Sequence, residues 1–288
     1  MTSRFFCLAA LVALGSGCID TSGLVFGGQG GDGAGGSGAG VAGGGQGGEG
    51  GQGEGGGGTG GSTPSGDYAA VVMADGPIGY WPLDSFANDI VTEDASGNGW
   101  DAFRDMGAAT VDVRQGQVGN AVALAAQESL FVDGGHPFGL ATGTYTLEAW
   151  VRVEGGDVSA GLWGCRAQGS GAEGYTTFAG STNLSHKRYD ATSSLAHDLP
   201  AGLAAGFRHV VITYDGSGTQ WYLDGAPGTA PQMTPITWSP QSAPFELASG
   251  GFAATDVIVV DEVAVYDEVL GPERIEAHYE CGANGQCD

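Results

Sequence analysis

The chain has 288 residues, 57 of them glycine, and its 33 acidic residues against nine basic ones leave a formal charge of −24. That balance excludes a nucleic-acid binder, because neutralising phosphates takes clustered Lys and Arg, and Lys187 is the single lysine here. The acidity reads instead as solubility, with carboxylates to spare for a cation.

The glycine is concentrated between residues 27 and 66, mixed with Gln, Ala, Ser and a few acids. Such a stretch cannot bury enough apolar surface to offset its chain entropy and is expected to be a disordered linker. As a flexible coil it reaches about 35 Å. Ahead of it, Arg4 precedes an apolar run over 5–14, too short for the ~20 residues a spanning helix needs and shaped like the core of an export signal. Gly15-Ser16-Gly17-Cys18 then sets small residues before a cysteine. The whole resembles a bacterial lipoprotein signal, in which Cys18 becomes the lipidated first residue. The alternative is an ordinary secretory signal with an incidental cysteine. The expected organisation is a signal over 1–18, a linker over 19–66 and one folded domain over 67–288.

In the folded part, residues 68–74 suggest a short helix, and 78–83 an aromatic strand whose Pro82 places it at an edge or a strand end. Asp94-Ala95-Ser96-Gly97-Asn98-Gly99 is a turn by composition. Short strands are expected at 121–124 and 130–132. Residues 145–153 alternate, with Tyr145, Leu147, Ala149, Val151 and Val153 on a core face. Trp150 stands among polar residues on the other face, which implies a second packed or ligand-facing surface. Further strands are expected at 162–165, 175–179, 184–189, 207–214, 220–223 and 245–248, with a glycine-rich hairpin connection over 215–219. The longest β-branched run, Val257-Ile-Val-Val-Asp261-Glu262-Val-Ala-Val-Tyr266, reads as a central strand covered on both faces. A period of two sends Asp261 to one face and Glu262 to the other, where a buried carboxylate needs a partner. Residues 272–279 suggest a brief helix opened by Pro272. Many short strands and little helix mean a sandwich or barrel, and two-sided apolar strands favour a sandwich.

Seven segments carry a resemblance: Tyr80-Trp81-Pro82-Leu83-Asp84, the turn at 94–99, Gly119-Asn120-Ala121, Leu147-Glu148-Ala149-Trp150-Val151, the stretch 208–216, Trp221-Tyr222-Leu223-Asp224-Gly225 and Asp261-Glu262-Val263-Ala264-Val265-Tyr266. In this order they resemble laminin-G-like jelly rolls of the concanavalin A-like lectin and glucanase superfamily. The resemblance implies an all-β, two-sheet antiparallel jelly-roll sandwich with a short C-terminal helix, often holding a structural calcium, in secreted or surface proteins that bind glycans or proteins. It does not imply a reaction.

By that resemblance Asp94, Asn98 and Asp261, with Asp84 added, would supply the oxygen ligands calcium takes. The alternative is that Asp94 and Asn98 build the turn and Asp261 bonds to backbone amides. The paired acids of laminarinase-type relatives, Glu-x-Asp-x-x-Glu on one strand, do not occur, since Asp261-Glu262 and Asp267-Glu268 have the wrong spacing for a glycosidase pair. The five histidines show no ligand spacing, and there is no Gly-x-Ser-x-Gly elbow. His209 reads as a packed residue. Sugar binding needs aromatic faces beside polar groups, for which Trp163, Tyr175, Tyr189 and Trp238 are the candidates, near Asn183, His186, Lys187 and Arg188. The competing reading packs these rings between the sheets, while Trp81, Trp150 and Trp221 read as core. Cys281 and Cys287 should close a small terminal disulfide loop, leaving Cys165 free, with Cys165–Cys281 the other pairing. Together these features suggest a non-catalytic, lipid-anchored module that binds a glycan or a surface protein at a bacterial outer membrane or cell surface. A structural envelope component without a small ligand, or a glycoside hydrolase, are the alternatives.

Overall fold

A computed structural model describes residues 65–287 of the chain, apart from 106–109, 133–137, 141–142, 156–158, 167–171, 234–235, 238–242 and 252–255. The expected signal with Cys18, the residues of the expected linker up to 64, and Trp238 lie outside the described residues. Helix α1 (Ser65–Ala74) is followed by β1 (Gly79–Trp81), β2 (Val91–Thr92), β3 (Ala102–Arg104), β4 (Asp112–Gln115), β5 (Asn120–Leu124) and β6 (Ser129–Val132). The long strand β7 (Tyr145–Glu154) precedes β8 (Ser159–Arg166), β9 (Gly174–Gly180), β10 (Asn183–Tyr189) and β11 (Ser194–Pro200). Then come β12 (Arg208–Tyr214), β13 (Gly218–Leu223), β14 (Ala226–Pro227), β15 (Gln232–Met233), β16 (Phe245–Ser249), β17 (Val257–Tyr266) and α2 (Pro272–Asn284). Neither helix is long and apolar enough to cross a membrane.

The strands form two antiparallel sheets. One has nine strands, in the order β14-β13-β12-β7-β17-β5-β4, with β1 paired to β17 and β15 to β13; the other has eight, β11-β10-β9-β8-β16-β6-β3-β2. The expected sandwich is therefore present. Between the sheets lie the inward residues of alternating strands, among them Leu147 and Val151 of β7, Leu162 of β8, Ile212 of β12 and Val260 of β17. Trp81, Phe138 and Phe245 pack there with ring centroids 4.8 to 6.0 Å apart, within the range favoured by aromatic pairs.

β17 is central, as its unbroken apolarity implies, with β7 on one side and β5 and β1 on the other. The expected alternation of its two acids is overturned. The register against β7 shifts between Asp261 and Ala264, and Glu262 has φ 54, the signature of a β-bulge that adds one residue to the strand. Asp261 stands opposite Trp150, and Glu262 meets the hydroxyl of Tyr80. Both rings belong to the cluster outside the nine-stranded sheet, so the two carboxylates share that face.

That outer face is covered by the helices. Tyr68 and Val72 of α1 and Ile275 and Cys281 of α2 pack on Tyr80, Trp150, Val211, Ala264 and Tyr266. The second surface implied by Trp150 is thus a packed one. α2 begins at Pro272 and ends at Gly285, whose left-handed φ of 70 lets its N–H reach the Cys281 carbonyl at 2.9 Å, a glycine-capped helix end. It is longer than the expected 272–279 and carries Cys281 into the interface, where the disulfide Cys281–Cys287 forms. Cys165 is free and buried.

Candidate functional site

Two places gather polar chemistry: the helix-covered face of the nine-stranded sheet and the outer face of the eight-stranded one. On the first, the four residues expected to share a cation do not converge. The Asp94 carboxylate closes its own turn, accepting from the N–H groups of Tyr80, Ser96 and Trp100 at 2.9 to 3.0 Å and from the Ser96 hydroxyl. Asn98 donates its side-chain amide to the Ile78 carbonyl at 3.1 Å. Asp84 and Asp261 instead grip a second loop. Asp84 Oδ1 accepts the Asn120 N–H at 2.6 Å, and Asp261 Oδ2 accepts the Val118 N–H at 3.0 Å. Side chains on this loop would collide with its clamps: a Cβ at Gly119, which has φ 57, would lie 2.2 Å from Asp84 Oδ1, and one at Gly116 2.4 Å from Asp261 Oδ2.

Beside this loop, Asp261 and Glu262 are both 0 % exposed. The Tyr80 hydroxyl donates to Glu262 Oε2, yet among the described residues Asp261 Oδ1 and Glu262 Oε1 have no hydrogen-bond partner. Burial drives both carboxyls well above their usual range, Asp261 adds to the rise at Glu262, and Asp84 adds to both. Two orphaned, buried, hard oxygens suit either a cation or a shared proton. Among the described residues, no three His, Cys, Asp or Glu side chains are grouped as a metal would need.

A further chain of polar groups ties the helices down. Glu148 on β7 is met by His209 Nε2 at 2.8 Å and His278 Nδ1 at 2.9 and 3.0 Å, and it accepts from the hydroxyls of Tyr68 and Tyr266 at 3.3 and 3.2 Å. His278 Nε2 lies 2.7 Å from Asp75 Oδ2, and Asp75 in turn pairs with Arg274. Burial alone would raise the Glu148 carboxyl, but the two histidines outweigh it and hold it well below its usual range. Glu148, His209 and His278 are buried beneath the helices, so they are closed to a substrate and hold structure. His209 is the packed histidine expected from the sequence.

The expected sugar-facing aromatics separate. Trp163 and Tyr175 are 1 % and 0 % exposed and belong to the core between the sheets. They cannot offer a ring face to a ligand, because their positions on β8 and β9 point inward. His186 and Arg188 also point inward, towards the Tyr145 hydroxyl at 2.9 and 2.8 Å. Tyr189 does lie at the surface, half-buried, with its hydroxyl 3.3 Å from Thr176 Oγ1.

Strand register assembles a surface around Tyr189 that the sequence reading missed. Phe103, Phe131, Glu246, Gly164, Thr176 and Lys187 are successive cross-strand partners over β3, β6, β16, β8, β9 and β10. Their strand neighbours Ala102, Leu130 and Phe245 are in the core, so this row faces out. A second row runs Ser249, Gly161, Phe178, Ser185 and Asp198. Between half-buried Phe131 and Phe178, the space over Gly161 is filled by the Ser249 hydroxyl and the Glu246 carboxylate, which would lie 2.3 and 2.6 Å from a Cβ there, whereas a Cβ at Gly164 would meet nothing closer than 3.6 Å. Burial raises the Glu246 carboxyl against the opposing bond from Ser249. Glu246 and Asp198 stand four strands apart in this sheet, about 19 Å at the usual strand spacing, whereas a glycosidase pair is separated by about 5–10 Å. The signal that could have found the row is the period-two placement of Phe103, Phe131 and Phe178 opposite core residues, which becomes a surface only once non-adjacent strands are paired.

Solved structures support this architecture. The chain is similar in fold to the binding domain of Paraclostridial Mosquitocidal Protein 1, with a TM-score of 0.60, 14% identity and 72% of this chain aligned. It is likewise similar to the botulinum neurotoxin serotype G binding domain, at 0.56, 12% and 70%, and to that of botulinum neurotoxin DC, at 0.58, 10% and 74%. It spans about half the length of these relatives, aligning with 52%, 50% and 53% of their chains. No curated protein is similar in sequence. Residues 119–276 match the family described as the concanavalin A-like lectin/glucanases superfamily, and the chain belongs to that family.

Proposed function

We propose that this chain is a non-catalytic binding module, held at a bacterial envelope by a lipid on Cys18 and a glycine tether, that recognises a glycan or a surface protein through the outer face of its eight-stranded sheet. The observation that carries this reading is the cross-strand row from Phe103 to Lys187, where the exposed ring of Phe103 and the half-buried ring of Phe131 share a face with Glu246, Thr176 and Lys187. Apolar faces with a few placed polar groups are what a sugar-binding groove needs. Support also comes from the structural relatives, one a botulinum neurotoxin DC binding domain in complex with SialylT and another in complex with rat synaptotagmin II. A glycan array probed with the chain tests the reading. Binding that is lost in Phe178→Ala and Phe131→Ala, with the thermal midpoint unchanged, supports it, and binding unaffected by both changes refutes the placement. Mass spectrometry of a membrane extract should find Cys18 acylated, and an unmodified Cys18 peptide would sink the anchor.

Calcium belongs to the same proposal. Asp261 and Glu262 would hold it by their orphaned oxygens, Oδ1 and Oε1. The ion would neutralise buried negative charge and fix the loop at residues 116–120 to β17. Asp94 and Asn98 would stay outside this set, since their side chains are engaged in the turn. Calcium should raise the thermal midpoint of chelator-treated protein, and an identical midpoint with and without the ion counts against the site.

A further inference from the structure

We infer that the ligand of the eight-stranded face is an anionic saccharide, with Arg166 and Lys187 as its charge-reading residues. This rests on the reading of that face as the binding surface. The inference starts from where the few cations are placed. Arg104, Arg114, Arg152, Arg208 and Arg274 are each ion-paired to carboxylates at 2.6 to 3.4 Å, and Arg188 is buried. Arg166 and Lys187 differ: neither is paired with a described carboxylate, and both lie against rings instead. The Arg166 guanidinium sits 3.8 Å over the ring of Tyr189, and the Lys187 ammonium 6.0 Å from that of Phe178. With 33 acids to nine bases in the chain, a cation left without a carboxylate has been kept from many available partners. Two such cations stand on a sheet face that also carries Glu246, bonded to Ser249, and Asp198 of β11, and a cation without a carboxylate partner attracts an anion over roughly a Debye length of about 10 Å.

Register puts the two cations on one face, two strands apart. Arg166 and Tyr189 are both partners of Gly174, which has no side chain to come between them, and Lys187 is two residues from Tyr189 on the same face of β10. Stacking on Tyr189 fixes the Arg166 charge before the ligand arrives. Beside Arg166 and Tyr189 is a cleft of about 360 Å³, whose wall also includes Asp190, Thr192, Ser193 and Ser194. Asp190 is the one carboxylate among the described residues of that wall, and it is engaged by the N–H and hydroxyl groups of Thr192 and Ser193 at 2.6 to 3.0 Å. The half-buried rings of Tyr189, Phe131 and Phe178 give this face apolar surface that a sugar ring covers and that an acidic peptide does not require. A carboxylate or sulfate on the saccharide would meet Arg166 through two parallel N–H groups.

The test is titration of the full chain by isothermal calorimetry with polygalacturonate, polysialic acid and dextran sulfate. Neutral dextran and poly-glutamate serve as comparators, each at 20 and 300 mM salt. At least one acidic polysaccharide should bind tenfold or more tighter than dextran and lose affinity at the higher salt. Arg166→Gln and Lys187→Gln should each weaken it about tenfold while leaving circular dichroism and thermal midpoint unchanged. A preference for polygalacturonate and polysialic acid assigns carboxylate, and a preference for dextran sulfate assigns sulfate; either supports the inference. If dextran binds as well as the acidic polymers and Phe178→Ala abolishes binding, the face is a glycan site but the anionic inference falls. Poly-glutamate binding as tightly as any polysaccharide overturns it in favour of an acidic protein partner. Binding to none of the polymers overturns the inference and the glycan reading of the face together.

Discussion

Raising the pH from 6.5 to 9 should loosen the fold, and His278 should account for much of the loss. Its ring lies between Glu148 on β7 and Asp75 just beyond α1, with contacts of 2.7 to 3.0 Å. Burial by itself would strip the proton from this imidazole, but the two carboxylates outweigh burial and raise its pKa from 6.5 to about 9. A group that binds its proton more tightly when folded contributes in full below its unfolded value and loses that contribution as the pH rises through the folded one. The gap from 6.5 to about 9, at about 1.4 kcal/mol per tenfold, is worth about 3 kcal/mol. Glu148 is shifted the opposite way, so its contribution is lost only in acid and is constant across this window. Asp261 and Glu262 are raised and lose stability with rising pH as well, which makes a comparison with His278→Gln necessary. Urea unfolding followed by tryptophan fluorescence at pH 6.5, 7.5, 8.5 and 9 supplies it. Wild type should lose about 3 kcal/mol more than the variant over this range, and the variant should start about 3 kcal/mol less stable because buried Glu148 and half-buried Asp75 each lose one partner, keeping His209 and Arg274. Parallel pH profiles for the two proteins would refute the reasoning.

Other expected outcomes concern close packing and cysteine. Gly119→Ala should cost about 1–3 kcal/mol, from a left-handed φ and the Asp84 oxygen occupying its Cβ position; urea unfolding of G119A, D84A and the double variant should give less than the sum of the single losses. Gly282→Ala should lower the thermal midpoint although alanine favours helix by about 1 kcal/mol, because its Cβ would fall 2.6 Å from the Trp150 ring; a higher midpoint would show that α2 can shift. Reducing Cys281–Cys287, which closes a loop with a separation of six residues, should cost about 2 kcal/mol in unfolding experiments. Cys165, buried with its thiol pushed up to about 11, should resist iodoacetamide until urea unfolds the chain, and prompt labelling at pH 7 would contradict its burial.

Local pattern decided a good deal of this protein. Alternation in 145–153 and the apolar run in 257–266 identified β7 and β17 as core strands, because side chains two apart share a face whatever the strand pairs with. The spacing of Cys281 and Cys287 in a chain expected to be exported anticipated their disulfide, and Pro272 marked the start of α2. What lies between strands was not legible. The bulge at Glu262 comes from the register of β17 against β7, and it alone puts Asp261 and Glu262 on the same face. Trp163 and Tyr175 could not be told from surface rings, since inward and outward positions carry similar residues when both faces of a strand are partly apolar. The row from Phe103 to Lys187 joins residues 84 positions apart in the chain, and Glu148 meets His209 and His278 across separations of 61 and 130. Periodicity reports which side of its own strand a residue takes, over a few residues; which strands become neighbours, and so which charges and rings meet, is settled only when the two sheets close on a common core.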